Sequence, residues 1–303
     1  MYKLMSLLVI SAALSIFASE SRCNFRVRIN NEINDLKIFS IFVMPGLNID
    51  LKNLSDEPVK VNFNGNFLLP KNGYYTLKAP VEKGKYNILI FNGKSDSMLI
   101  NVFVKVPLSQ KKGEYLNGYR IGNYPLIPLN NDHVYERPKG LIEVTENDLD
   151  TRLTPNFILG DFICKQEGGF PKYVLIREKL LLKLEYLTEI LKEKNINISK
   201  FKFISAYRTP FYNKLIGNVK YSRHIYGGAA DMYIDEDSDG RMDDLNKDGK
   251  LDHGDAQFLF KTIEEHSGAE SFMDFIGGLG LYKRTEAHPS FIHIDTRGFK
   301  ARW

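Results

Sequence analysis

The sequence predicts an α+β protein: an N-terminal β-sandwich of immunoglobulin-like type, then a mixed domain with a small antiparallel sheet and flanking helices. Two observations carry that expectation. Short alternating apolar runs broken by turn residues fill the chain from Phe25 to about Lys105, the pattern of half-buried antiparallel strands. Beyond residue 152 a single long run of helical period stands among short apolar strands. With 303 residues, 43% of them apolar, the chain can build two cores. Its charges are mixed and sum to +4. That balance reads as a solvated surface and makes no case for nucleic acid.

Met1–Ser21 combines Lys3, an apolar stretch from Leu4 to Ala18, and small residues at Ala18, Ser19 and Ser21. It is expected to be a removable signal peptide. Arg22 rather than a small residue precedes Cys23, so lipidation is not expected. No other segment approaches membrane-spanning length, and the mature protein is expected to be soluble and periplasmic. Cys23 and Cys164 are the only thiols. In an oxidising compartment they either pair or, as for Cys164, serve as small buried apolar residues.

Residues 22–106 form the expected sandwich. Its runs include Phe25–Ile29, Val59–Phe63, Tyr86–Phe91 and Met98–Val104, with turn signals at Asn64-Gly65, Asn72-Gly73 and Asn92-Gly93. No titratable cluster or phosphate loop appears there, which suits an interaction or spacer module. Residues 107–152 are a connecting segment rich in Tyr, Pro, Asn and Gly, suited to a sugar-binding groove or, as favoured here, to packing between domains. In residues 153–303 the spacing of Ile176, Leu180, Leu184, Leu187 and Leu191 predicts a helix over about Val174–Lys194, with Glu and Lys outward. Phe201–Ala206 alternates as a strand and delivers Tyr207 and Arg208.

The chemistry concentrates in two stretches. His224 and Asp231 lie seven apart around Gly227-Gly228, too glycine-rich for one helix. They read as a loop, a sharp turn and a strand, Ala229–Ile234, that bears Asp231. His293 sits in the apolar run Phe291-Ile-His-Ile, with Asp295 two residues on and on the same strand face. Two imidazoles and one carboxylate leave a fourth tetrahedral position open, the layout of a catalytic zinc site. A closed structural site would usually use thiolates, of which this chain has two.

Between strand and next helix, residues 235–255 form an acidic insertion fitting a calcium loop twice over. One set of oxygens is Asp244, Asn246, Asp248, the Lys250 carbonyl, Asp252 and Asp255, with Gly249 at the turn. The earlier set is Asp235, Asp237, Asp239, the Arg241 carbonyl and Asp243, ending on Asn246. A structural calcium is expected, holding the Asp231 strand against a helix over Ala256–His266.

The motif S-x-H-x-x-G-x-A-x-D is filled by Ser222, His224, Gly227, Ala229 and Asp231. Ser205-Ala-Tyr207-Arg208 with Asn213 precedes it, and His293-Ile-Asp295-Thr-Arg297-Gly298 follows. Together, over roughly Leu153–Trp303, they resemble the zinc D-alanyl-D-alanine peptidases, relatives of hedgehog-like and lysostaphin-like metallopeptidases, with the periplasmic murein-peptidase branch nearest. The resemblance implies zinc on His224, Asp231 and His293 and hydrolysis of peptidoglycan stem peptides, as D,D-carboxypeptidase or murein endopeptidase. It implies that Arg208 stabilises an oxyanion or anchors a substrate carboxylate, and that Ser222 and Asp295 support the ligands from behind. The family's acid three residues before the last ligand is replaced by Ser290. His288 is then the expected general base, with Glu286 second. The alternative is a catalytically silent wall-binding or calcium-dependent adhesion module on the same scaffold.

Overall fold

The computed structural model describes residues 21–93, 96–196 and 198–303. The expected signal peptide, but for Ser21, lies outside them. The described chain is α+β, with several small sheets and three α-helices. None of the described helices is long and apolar enough to cross a membrane. Residue contacts divide the chain into two compact units, Met1–Lys105 with Arg152–Pro155, and Val106–Thr151 with Asn156–Trp303. The segment expected to connect two domains thus runs within the second unit.

Among the described residues the first unit has nine strands: β1 (Arg22–Ile29), β2 (Glu32–Leu36), β3 (Ile38–Val43), β4 (Asn48–Asn53), β5 (Lys60–Phe63), β6 (Asn66–Leu68), β7 (Tyr74–Lys78), β8 (Gly84–Phe91) and β9 (Ser97–Val104). They form a sheet of order β2-β1-β4-β7 and another of order β3-β9-β8-β5-β6. Alternation works as physics requires: Phe25, Val27 and Ile29 of β1 are buried while Arg26 and Arg28 are exposed. Asn64 and Gly65 both take positive φ, 49° and 85°, and close the tight turn from β5 to β6. One pairing departs from an all-antiparallel unit, because β3 runs parallel to β9. Alternation fixes a strand's faces but not the direction of its neighbour. Residues 152–155 join this unit through the Arg152 and Leu153 carbonyls, which accept from Asn101 Nδ2 at 2.8 Å and Ser40 Oγ at 2.9 Å.

The second unit begins with β10 (Val106–Pro107), β11 (Tyr115–Leu116), β12 (Tyr119–Arg120), β13 (Gly140–Val144) and β14 (Lys172–Val174). There follow α1 (Glu178–Glu193), β15 (Lys202–Ser205), α2 (Pro210–Leu215), β16 (Ala229–Tyr233), α3 (His253–His266), β17 (Gly278–Tyr282), β18 (Phe291–Asp295) and β19 (Ala301–Arg302). The sheet that matters for function has the order β15-β16-β18-β17-β19. Its pairs are antiparallel except β17 with β19.

Helix α1 starts four residues later than its apolar period suggests. Val174 is taken by a strand, pairing with Ile142 of β13, and Arg177 is extended with its N–H donating to Gly227 O. The helix buries Leu180, Leu184, Leu187 and Leu191 as expected. It also buries Lys183 and Glu185, which its charge pattern had placed outward. Glu185 is satisfied by the backbone N–H of Asn156 at 2.8 Å and by that residue's side chain. Helix α3 begins three residues earlier than expected, because Asp252 and Asp255 close a capping box around its first turn. Both cysteines are free thiols in this structure. Cys23 donates to Ser97 O at 3.4 Å.

Candidate metal centre

His224 lies in a short 3-10 turn, Arg223–Tyr226, closed by Gly227 in the left-handed region at φ 67°. A side chain at Gly227 would also collide with the Leu175 carbonyl, its Cβ 2.4 Å from the oxygen. Only glycine permits both the turn and the close approach. The chain then enters β16, where Asp231 sits directly across from His293 of β18. One turn and one strand pair therefore bring the three side chains together.

They converge tightly. Asp231 Oδ1 lies 3.1 Å from His224 Nε2 and 2.7 Å from His293 Nδ1, and the two nitrogens are 3.3 Å apart. All three residues are buried, at 3%, 5% and 6% exposure. Each imidazole is held by its far nitrogen. His224 Nδ1 donates to the Ala206 carbonyl at 2.6 Å, and His293 Nε2 donates to Asp295 Oδ2 at 3.2 Å. The nitrogens facing Asp231 are thereby the ones free to offer lone pairs, the arrangement a divalent cation requires. Two neutral imidazoles and a carboxylate, buried but opening on one side, fit zinc.

Electrostatics supports a persistent anion here. Burial alone would raise Asp231, but the facing imidazoles hold its carboxyl well below the usual range. Arg208 adds an ion pair from Nη2 to Asp231 Oδ2, while its Nε donates to Ser205 Oγ at 2.7 Å. Burial lowers the pKa of His224, only partly opposed by Asp231. His293, also desolvated, is nevertheless raised by its place between Asp231 and Asp295. Asp295 is fully buried. Burial opposes its charge, yet His293 and the Arg297 fork keep it ionised.

The cluster opens onto a cleft of about 900 Å³. A model of the Peptidase M15 family matches residues 152–259. Over these residues the chain is similar to Peptidase M15 proteins. The match takes in His224 and Asp231 but ends before His293, which the structure adds by strand pairing. The family is one of zinc-dependent metallopeptidases, in agreement with the donor set. Comparison with curated proteins and with solved structures gives no match.

Around this candidate centre the other expected residues fall variously. Asp295 Oδ2 accepts from His293 Nε2. Ser222 is buried at the cleft wall and precedes the His224 turn. Among the described residues its hydroxyl makes none of the bonds that hold the cluster. His288 lines the cleft; its Nδ1 donates to the Pro289 carbonyl at 2.9 Å, leaving Nε2 as the acceptor. Glu286 is exposed and does not line the cleft. Ser290 faces elsewhere, into a smaller cavity with Met242 and Arg284, because it lies one residue off the parity of Phe291 and His293.

In the acidic insertion, Asp235, Asp237 and Asp239 converge closely enough to share an ion. Asp243 accepts from the Glu236 N–H at 3.1 Å. In the second half Asp244 accepts from the N–H groups of Asp248 and Gly249 at 3.1 and 2.8 Å, and Asn246 Oδ1 accepts from Asp248 at 2.9 Å. Asp248 accepts from Lys250 N–H at 2.9 Å. Asp252 and Asp255 are occupied in capping α3. Asp255, fully buried, takes Leu245 N–H on one oxygen and Asp252 N–H on the other, both at 2.9 Å.

Sequence reasoning missed several cleft residues. Tyr135 comes from the connecting segment and meets Tyr221 and Tyr226 edge-on, at 6.2 and 5.5 Å between centroids. Trp303 lies 5.1 Å from the His293 ring and over Gly280, whose Cβ would fall 2.5 Å from the indole. Lys165 arrives from the loop after Phe162. Nothing in their local sequence marks them, since tertiary contacts alone bring them here.

Proposed function

We propose that the protein is a periplasmic zinc peptidase that hydrolyses peptide bonds in peptidoglycan stem peptides, as a D,D-carboxypeptidase or a murein endopeptidase. The observation that carries this reading is the buried His224–Asp231–His293 cluster, open to a cleft, in a unit that a Peptidase M15 family model matches in part. When bound, zinc supplies Lewis acidity to the scissile carbonyl and makes water a nucleophile near neutral pH. Asp295 and the Ala206 carbonyl orient the two imidazoles. His288 lines the cleft with its Nδ1 already tied, and in this reading its Nε2 takes a proton from the attacking water and returns it to the leaving amine. Arg208 spends two of its donors on Asp231 and Ser205, which steadies the carboxylate against the pull of the cation. Its remaining N–H groups are left for the developing oxyanion.

Two further parts belong to the same reading. The Asp235–Asp239 carboxylates and the loop that follows hold structural calcium. The N-terminal unit is an immunoglobulin-like sandwich that acts as a spacer or interaction module.

The test is mass spectrometry of purified muropeptides incubated with the zinc-loaded mature protein. Loss of a terminal D-alanine or scission of a cross-link is the expected product. In the same assay His288→Ala retains zinc and loses about a hundredfold in turnover, the scale of one positioned acid–base group. Intact muropeptides with zinc fully bound would show a silent binding module instead.

A further inference from the structure

The cleft wall carries five basic side chains, Lys165, Arg208, Lys220, Arg223 and Arg297, against one carboxylate, Asp231. Most of that positive charge is already engaged. Arg208 is held by Asp231 and Ser205. Arg297 is paired with Asp295. Arg223 donates to the Val134 carbonyl and lies against the rings of Tyr135 and Tyr226, and Lys220 lies 5.1 Å over Tyr221. Lys165 differs: among the described residues it has no hydrogen bond and no ion pair.

Its position is nonetheless fixed. The flanking residues Cys164 and Gln166 are buried, and Gln166 Oε1 accepts from Thr209 Oγ1 at 2.5 Å. Upstream, the Phe162 carbonyl accepts from Tyr207 N–H at 3.3 Å. These two bonds bracket Lys165 and Arg208 and set the two residues side by side on separate segments. Desolvation, with the Arg208 charge adding to it, lowers the ammonium pKa. An anion on Lys165 would relieve that repulsion. Lys165 is exposed in the cleft, so its ammonium is held by water and is available to a ligand of opposite charge.

We propose that Lys165 is a specificity residue that binds a carboxylate of the substrate and makes the cleft select acidic peptides. The proposal rests on the peptidase reading for its setting. It takes from Arg208 the anchoring role, because Arg208 is committed to Asp231. The carboxylate has two possible sources, the C-terminus of the peptide or an acidic side chain within it. A C-terminal source makes the enzyme a carboxypeptidase; a side-chain source allows cleavage within a chain.

The experiment uses one peptide in four forms, with C-terminal acid or amide and with an internal Glu or Gln, on the zinc-loaded wild type, Lys165→Gln and Lys165→Arg proteins. Where peptide is cleaved, kcat and KM are read; where it is not, Kd is read by calorimetry. The wild type is expected to favour one acidic form by about tenfold in KM or Kd, the scale of one solvent-exposed charged hydrogen bond. Lys165→Gln abolishes the preference and Lys165→Arg restores it. Preference for the acid terminus identifies the C-terminal source, and preference for Glu identifies the side chain. Binding that depends on Lys165 without any cleavage supports the carboxylate site and removes the peptidase reading. Equal affinity for all four forms, a preference that survives in Lys165→Gln, or no binding at all overturns the proposal.

Discussion

Lys183 carries an ammonium group into a place where water scarcely reaches, at 2% exposure. Its Nζ donates to the Asp295 carbonyl at 2.8 Å and lies 5.2 Å above the Phe272 ring. Burial pushes its pKa from 10.5 down to about 7; Asp295 pulls it up, and Arg302 and Arg297 push it down. Between those two values the unfolded chain holds a proton that the folded chain has released. Stability contributed at this position therefore rises with pH from about 7 towards 10.5, by at most about 1.4 kcal/mol per unit. Below pH 7 both states are protonated and the burial penalty is constant. Urea unfolding of wild type and Lys183→Met at pH 7, 8 and 9 is expected to show a difference that changes along this slope. Parallel curves across the three pH values would show that Lys183 is charged in both states throughout.

The turn between His224 and β16 does most to shape the site among the local elements. Gly227 at φ 67° with its α-carbon against the Leu175 carbonyl leaves no room for a methyl group. Gly227→Ala adds the left-handed penalty of about 1–2 kcal/mol to an overpacking cost of about 1–3 kcal/mol. A loss of roughly 2–5 kcal/mol in unfolding free energy is expected, measured by urea denaturation, together with weaker metal retention as His224 shifts. Unchanged stability would mean the turn relaxes freely. This turn was legible in the sequence because glycines at a fixed distance from His224 and Asp231 encode local geometry. Parity made Asp295 legible too, through its two-residue offset from His293. The start of α1 was not, since the apolar period of Val174–Arg177 suits either helix or strand and β13 decided it. Ser290 misled for a related reason. Counting three residues back from a ligand in a strand lands on the opposite face, so the missing acid leaves no gap in the cleft. Lys165 and Tyr135 could not be found by any local pattern, because Gln166 and Arg223 bring them in from elsewhere.

At the scale of the whole molecule, the candidate site is built from described residues of the second unit. The acidic insertion joins β16, which bears Asp231, to α3, capped by Asp252 and Asp255. A cation on Asp235, Asp237 and Asp239 would relieve the repulsion among three carboxylates placed within reach of one ion. Binding to the folded state alone raises stability with free ligand, by about 2.7 kcal/mol at a hundred times Kd. The melting temperature of the zinc-loaded protein is expected to climb between chelator and millimolar calcium at constant zinc. A flat response would assign the insertion to its own hydrogen bonds.

The pairing of Asp231 with His293 across β16 and β18 has a consequence for how this sheet is assembled. A slip of one residue between the strands would turn His293 to the far side while Asp231 stayed, and no third donor would meet the other two. A metal that needs all three donors would thus proofread strand alignment: chains closed in the wrong register would stay empty. A coloured substitute ion such as cobalt would make correctly assembled molecules visible one population against the other, long before any substrate is added.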